Sequence, residues 1–448
     1  MARGKMNYEE LFFNYKEQPG KYRKSGQIVQ NSNNPLVSII TSYYNANEFM
    51  WQTINCVLNQ TFQSWEWIIV DDGSNSQDAI DYLKKMEKLD NRIRIYHKKN
   101  EGLALGRDYA IQQTNSDYIL PLDADDLIEP TYIETLYFTL QTNPNASWAF
   151  TNSVGFGKYI YLADAKFDSE RMKTDNHITA TALIRKDKIV KLGGYGQAKR
   201  YVNEDWHLWL RMLANDMFPV QVGFYGFWYR RRKESLLTDI NNEKKKEYEL
   251  KMRDLKIEAD KIKGKVEATS YPKEEIATQL GNDKIDNIEN IEIANKNQKS
   301  DLYLLPYLGT DKKMYQTIQK AAKEKNIYVI TMQKSEHSSY FYRQKYETFC
   351  TVYDLTTFLD EKYWLSFIQY VIDSRNIEKI YVSHTKYKEE LKKKFKIMEI
   401  EPCKDSNMRY RCKILQEKIS HSLLIRGFRK LGRCILKKIA NCGRKEGS

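Results

Sequence analysis

The sequence predicts an α/β protein: a mostly parallel sheet near the N-terminus, a smaller Rossmann-like α/β unit after it, and a basic amphipathic helix at the C-terminus. Three observations carry this reading. Short apolar runs alternate with helical patterns from Pro35 to about Gln141, and the alternation resumes at Asp301. Residues 241–270 hold 16 charged residues among 30, which separates the two regions in composition. From Asn407 to Ser448 there are 12 Lys and Arg against 2 Glu.

In chain order, residues 1–34 read as an N-terminal extension. Residues 35–240 form the first domain. Leu36–Thr41 suits a buried strand, Asn47–Asn59 a helix, Trp65–Val70 a strand and Gln77–Leu89 a helix. Arg92–Tyr96, Leu103–Gln113 and Asp117–Leu122 repeat the pattern. Helices on both faces of such a sheet leave the carboxyl ends of the strands as the ligand edge. In residues 241–300, Tyr248, Met252, Leu255, Ala259, Ile262 and Val266 make one helical seam. The seam suits a solvated helix lying on the first domain; the alternative is a self-pairing coiled coil, which would make a homodimer. Tyr271–Ser300, rich in Asn and Lys, reads as a linker. Residues 301–405 form the Rossmann-like unit: Leu302–Pro306, Ile327–Met332, Thr351–Asp354 and Lys379–Ser383 as strands, with Lys312–Lys323, Thr356–Ser374 and Tyr387–Lys394 as helices. Residues 406–448 are the basic tail.

Composition narrows the function classes. Of the 448 residues, 41% are hydrophobic, which suits folded cores. No run approaches the roughly 18 apolar residues of a membrane span, and Met1–Gly20 lacks an apolar signal core. Six cysteines without a CxxC pair fit a reducing compartment, so the expected location is cytoplasmic. The net charge is +13, of which the tail supplies +10 (12 − 2). Within it Leu424, Phe428, Leu431, Ile435 and Ile439 recur at helical spacing, with Arg426, Arg429, Lys430, Arg433 and Lys437 on the other side. That separation suits an anionic membrane surface, on the inner face of the plasma membrane. The tail has only Tyr410 and Phe428 to stack on bases, so no nucleic-acid partner is expected.

Two acidic clusters carry the chemistry. Asp71-Asp72-Gly73-Ser74 follows the second strand, and Leu122-Asp123-Ala124-Asp125-Asp126 follows the fourth. Carboxylates this close repel one another unless a cation or hydrogen-bond donors compensate. Each cluster alone could be a turn or a helix cap. Together at two strand ends of one sheet, they favour a site for a cation and a diphosphate.

These blocks occur with Val37-Ser38-Ile39-Ile40, Tyr44-Asn45-Ala46 and Val57-Leu58-Asn59-Gln60-Thr61-Phe62, in order. Further on stand Asn203-Glu204-Asp205-Trp206-His207 and Trp228-Tyr229-Arg230-Arg231-Arg232. Over about residues 35–237 the chain resembles the family 2 glycosyltransferases of the GT-A fold, nucleotide-diphospho-sugar transferases. The resemblance implies that Ser42, Tyr44, Asp71, Asp72, Arg107, Asp123, Gly194, Arg230 and Arg232 face the donor, Tyr44 stacking on the base. Asp123 and Asp125 match its DXD motif and would hold a divalent cation, Mg²⁺ or Mn²⁺. Asp205 matches the catalytic base, with Glu204 and His177 on the acceptor side. His207, inside an apolar helical run, reads as a packed core histidine.

The resemblance further implies an inverting, metal-dependent transferase that uses a nucleotide-diphosphate sugar, a UDP-sugar, and a glycan or lipid-linked acceptor in bacterial surface polysaccharide synthesis. The alternative is a catalytically weak sugar-nucleotide-binding scaffold of a polysaccharide assembly complex. Two positions depart from the family pattern: Asp108 stands where Asn is usual, and Arg232 where many members have His. Arginine cannot ligate a cation but can grip a diphosphate bidentately.

Overall fold

The computed structural model describes residues 13–20, 35–196, 203–232 and 245–399, the last stretch without 276–278, 287, 289–290, 295, 310–311, 335–338, 384 and 397. The N-terminal extension lies mostly, and the basic tail wholly, outside the described residues. The chain divides into two units, one of Gln18–Lys299 with Asp354–Ile377, the other of Met1–Glu17, Ser300–Tyr353 and Glu378–Ser448.

The larger unit is built on ten strands. β1 (Val37–Tyr43), β2 (Trp65–Asp72), β3 (Ile93–Lys98) and β4 (Tyr118–Pro121) are the four that the alternating pattern predicts. β5 (Leu127–Ile128), β6 (Trp148–Gly157), β7 (Tyr161–Ala163), β8 (Leu183–Arg185), β9 (Pro219–Arg231) and β10 (Thr269–Ser270) follow. Eight of them run in the order β10-β9-β6-β8-β4-β1-β2-β3, while β5 pairs with β9 and β7 with β6 off this path. β1 pairs in parallel with β2 and β4, and β2 with β3. β8 is antiparallel to both β4 and β6, so β6 and its parallel neighbour β9 run the same way as β4. The carboxyl ends of β1, β2, β4, β6 and β9 therefore share one edge.

Both faces of β1 and β2 are buried, which is why these strands read as near-continuous apolar runs. β2 runs two residues further than its apolar pattern, so Asp71 and Asp72 are its last residues rather than a turn beyond it. The helix Glu204–Ala214 lays Leu208, Trp209 and Met212 into the core, where Trp209 stacks on Trp148 at 5.1 Å. The charged helix Lys245–Asp260 and the turn after it spend the predicted seam on this same core: Leu255, Ala259 and Ile262 are buried in it, with Met252 and Val266 at its margin. The side chain of Tyr248, the first residue of the predicted seam, lies outside those described.

The stretch read as a linker packs instead. Ile285, Ile291 and Ile293 are buried, Gln63 N donates to Glu292 O at 2.6 Å, and Ala294 N to Thr61 O at 2.9 Å. A few isoleucines among Asn and Lys are enough to seat a strap on an apolar surface. The helix Trp364–Ser374 also belongs to this unit rather than to the Rossmann-like one. Its Phe367 and Tyr370 meet Phe138 at 5.0 and 4.7 Å.

The smaller unit is a five-stranded sheet of β11 (Ser300–Leu305), β12 (Asn326–Thr331), β13 (Thr351–Asp354), β14 (Ile377–Val382) and β15 (Met398–Glu399), in the order β13-β12-β11-β14-β15. β11 with β12, and β14 with β15, are parallel. The helix Ser339–Glu347, which the sequence pattern did not signal, helps cover it through Tyr346, set edge-on to Tyr315 at 5.2 Å.

Candidate active site

The carboxyl edge of the large sheet collects the acidic clusters, and hydroxyl groups hold the second one in place. Thr41 Oγ1, itself accepting from Trp67 Nε1, donates to Leu122 O at 2.6 Å. Thr53 Oγ1 lies 3.0 Å from Ala124 O and 2.9 Å from Asp126 O. Neither threonine stands out in sequence, because each acts on a backbone carbonyl some 70–80 positions away.

At the end of β2, Asp71 Oδ1 accepts from Ser74 N at 2.9 Å, and Oδ2 lies 2.9 Å from His97 Nδ1. Asp72 accepts from Glu101 N, Gly102 N and Lys98 Nζ, at 3.0, 2.7 and 2.9 Å. Its carboxylate is thus occupied in shaping the loop before the helix Leu103–Gln112. Tyr44, just beyond β1, is 48% exposed, an aromatic ring left in solvent at the sheet edge. Ser42, in β1, meets that helix at Gly106, where a Cβ would stand 2.3 Å from the serine oxygen; only glycine permits the approach.

Arg107 is the hub. It is 1% exposed, and its Nη2 donates to Asp123 Oδ1 at 2.7 Å while Nη1 donates to Glu204 Oε1 at 2.5 Å. It joins the predicted cation-binding motif to the first turn of the helix Glu204–Ala214, two segments 81 positions apart (204 − 123). Burial pushes the Glu204 carboxyl up to about 7, against the pull of the Arg107 guanidinium. Asp205, next to it, is also pushed up by burial, opposed by the Trp206 N–H, by Arg107 and by a hydrogen bond from Asn176 Nδ2 at 3.0 Å.

Asp125 faces a second pair of arginines. Arg232 Nε and Nη2 approach its Oδ2 at 2.7 and 2.5 Å, and Arg230 Nε donates to its backbone carbonyl at 2.7 Å. Arg230 also reaches Gln52 Oε1 and lies over the Phe49 and Phe156 rings, at 4.1 and 4.5 Å. Asp126 accepts from Arg230 N at 2.8 Å; burial, with the charges of Asp125 and Asp123, raises its carboxyl well above the usual range.

Among the described residues no group of three or more His, Cys, Asp or Glu side chains is arranged to hold a metal ion. Two carboxylates nevertheless suit a hard cation that takes its other ligands from a diphosphate and water. Asp123 and Asp125 each bind guanidinium through one oxygen, which leaves Asp123 Oδ2 and Asp125 Oδ1 for it. The residues fit a divalent cation of this kind.

Gly194 lies in a loop clamped from two sides. Asp108 Oδ1 accepts from Tyr195 N at 2.6 Å, and Arg211 donates to the Gly194 carbonyl at 2.7 Å and to that of Leu192. Here is a use for aspartate where the resembled family has Asn: the carboxylate takes backbone N–H groups from both Tyr195 and Gly196. Tyr195 in turn lies under the Arg107 guanidinium, at 5.4 Å. His177 has both ring nitrogens engaged by backbone, Nε2 accepting from Asp168 N at 3.1 Å and Nδ1 donating to Asp175 O at 3.2 Å. His207 is buried, as expected of a core residue.

Residues 38–192 match the sequence model of Glycosyl transferase family 2. Over that segment, 155 of the 448 residues, the sequence is that of a family 2 glycosyltransferase domain. An uncharacterized glycosyltransferase of Methanocaldococcus jannaschii is 28% identical over 206 residues, 42% of this chain and 68% of that protein. The O-antigen biosynthesis glycosyltransferase WbnJ of Escherichia coli is 27% identical over 191 residues, 40% of this chain and 72% of its own length. The crystal structure of S. aureus TarS 1-349 in complex with UDP-GlcNAc aligns at 16% identity over 50% of this chain and 66% of that one, with a TM-score of 0.40, too loose a superposition to bear on the site. The family 2 match ends before Asp205, Arg230 and Arg232, and the structure brings all three to the edge where the matched segments end. No helix among the described residues is long and apolar enough to cross a membrane.

Proposed function

We propose that this chain transfers a sugar, with inversion, from a nucleotide-diphosphate donor, a UDP-sugar, to a glycan or lipid-linked acceptor in the synthesis of a bacterial surface polysaccharide. The observation that carries the reading is Arg107, which draws Asp123 and the Glu204-Asp205 pair into one cluster. Donor-side and acceptor-side carboxylates then lie on either side of one buried guanidinium. The Escherichia coli relative, whose name places it in O-antigen biosynthesis, supports the substrate class.

The roles follow from charge. Tyr44 stacks on the base and Asp71 accepts from it. As the bond to the anomeric carbon breaks, negative charge grows on the diphosphate, and Arg230 and Arg232 stand beside Asp125 to meet it. Asp123 and Asp125 would hold Mg²⁺ or Mn²⁺, which supplies further neutralisation of the diphosphate. Asp205 takes the proton of the attacking hydroxyl from the face opposite the leaving group, so the product is inverted. The basic tail would hold the protein at an anionic membrane.

The test is release of UDP from UDP-glucose, UDP-galactose and UDP-N-acetylglucosamine, with the anomeric configuration of the product read by NMR. Asp205→Asn should lower turnover by about 10²–10⁴ with donor binding nearly intact. Near-normal turnover by that variant, or a retained configuration, would overturn the assignment.

A further inference from the structure

Buried polar atoms without a partner are costly, so where they gather they point to something that binds. Among the described residues, four such atoms lie at the start of the helix Glu204–Ala214: Asn176 Oδ1, Tyr195 OH, Arg107 Nε and His207 Nδ1, the last on the helix itself and in range of the charges of Glu258 and Asp254 rather than of Asp205. Arg107 bonds to Glu204, and the Tyr195 hydroxyl feels the charges of Glu204 and Asp205. Asn176 touches Asp205 itself.

Its amide orientation follows from chemistry. A carboxylate only accepts, so the group 3.0 Å from Asp205 Oδ2 is the Asn176 amide nitrogen, and the carbonyl oxygen is the atom left over. The loop that carries it is fixed nearby on both sides. Asp168 caps the short helix before it, His177 bonds to the backbone of Asp168 and Asp175, and Arg171 Nη2 grips Asp175 at 2.6 Å. The asparagine is held with one end on the carboxylate, and its other end, Oδ1, is buried without a protein partner.

We propose that Asn176 is a positioning residue for Asp205, and that its free Oδ1 accepts a hydrogen bond from a second hydroxyl of the acceptor, one adjacent to the hydroxyl that attacks. The acceptor is then a sugar or polyol with two neighbouring hydroxyls, not an isolated alcohol. The inference rests on Asp205 as the base. In the step, the attacking oxygen forms the bond to the anomeric carbon while the carbon–oxygen bond to the diphosphate breaks. Its electron pair leaves with the diphosphate, and the proton passes to Asp205. The neighbouring hydroxyl keeps its proton and shares it with Asn176.

The groups that face Asp205 are Asn176, the Trp206 N–H and Arg107, which favour its charged form, and Asp123, which opposes it; Glu204 and Tyr195 lie in the same cluster. Loss of the Asn176 amide removes one of the favourable contacts, so the base holds its proton to higher pH. The experiment compares the full-length parent with Asn176→Ala, Asn176→Asp and Asp205→Asn. UDP release is followed from pH 5 to 9 with the best UDP-sugar, using a methyl glycoside that accepts the sugar and its deoxy analogues. The acid limb of the rate profile should move to higher pH in Asn176→Ala and further in Asn176→Asp, with donor KM unchanged. Removal of the neighbouring hydroxyl should slow the parent about tenfold, the loss of one hydrogen bond, and leave Asn176→Ala nearly unaffected. An unmoved acid limb, or equal losses on the deoxy acceptor in parent and Asn176→Ala, would overturn the inference while Asp205 remains the base. Full turnover by Asp205→Asn would overturn both.

Discussion

Arg232 holds Asp125 through two guanidinium nitrogens, Nε at 2.7 Å and Nη2 at 2.5 Å from the same carboxylate oxygen. A cation at Asp125 must share that carboxylate with an arginine that also suits a diphosphate. On the proposed function, two sources of positive charge would then act on one leaving group.

The first prediction follows from that sharing. Arg232→Ala should raise donor KM about ten- to a hundredfold, the range for a lost charge-assisted hydrogen bond, and make turnover fall more steeply in chelator than the parent's does. UDP release titrated against Mg²⁺ and Mn²⁺ in both proteins is the measurement. Identical donor KM values would remove Arg232 from the diphosphate.

The second concerns pH. Burial raises the Glu204 carboxyl from its usual 4.5 to about 7. Between those values the folded protein binds a proton that the unfolded chain has released. The stability that this group contributes is therefore complete below about 4.5 and is lost as pH rises through about 7. Glu204→Gln should flatten the dependence of Tm on pH across that window. A profile that stays parallel to the parent's would show that Glu204 titrates normally.

The third concerns the glycine loop. Gly194 has φ +75°, and a Cβ there would lie 2.2 Å from Asp108 Oδ1. Gly194→Ala should cost about 1–3 kcal/mol from backbone strain alone and loosen the clamp on Tyr195. Denaturant unfolding gives the first, and hydrogen exchange at Tyr195 the second. Unchanged values for both would mean that the loop adapts freely.

The fourth concerns a buried ion pair outside the proposed site residues. Glu134 and Arg375 are each 0% exposed and form an ion pair, and Glu134 Oε1 also accepts from Tyr370 OH at 2.6 Å. Arg375→Met takes the guanidinium away from the buried Glu134 carboxylate, which keeps its bonds from Thr61 Oγ1 and Tyr370 OH, and should cost about 3–5 kcal/mol. The double variant Glu134→Leu/Arg375→Met should regain most of it. Urea unfolding of the single and double variants decides; equal stabilities of parent and Arg375→Met would show that the pair contributes nothing.

What was legible in sequence had local causes. β1 and β2 announced themselves because strands buried on both faces must be apolar. Asp71 and Asp123 stood out because acidic residues at strand ends need compensation. The seam of Leu255, Ala259 and Ile262 was readable as helical period, and the structure supplies the surface it packs on. The site contacts were harder. Asn176 meets Asp205 from a loop with no period, and Thr41 and Thr53 act through hydroxyls on distant carbonyls. Asp108 was visible only as a departure, and its purpose needed the Tyr195 backbone beside it. Sequence alone groups the helix Trp364–Ser374 with its neighbours in the chain, because nothing local tells Phe367 that it will meet Phe138.

That helix has a consequence for how the protein is made. The ribosome releases Asp205 and Arg232 long before Trp364, with β11, β12 and β13 emerging in between. Until the later segment arrives, Phe138 lacks Phe367 and Tyr370, and Glu134 lacks Arg375. The nascent chain can assemble the carboxyl edge of the large sheet, yet must keep an apolar flank open while another sheet is synthesised. Shortening the chain at about residue 300 would make that transient state permanent. A fragment that carries every proposed catalytic residue is therefore expected to aggregate, whereas one extended through Ile377 has the pieces to close its own flank.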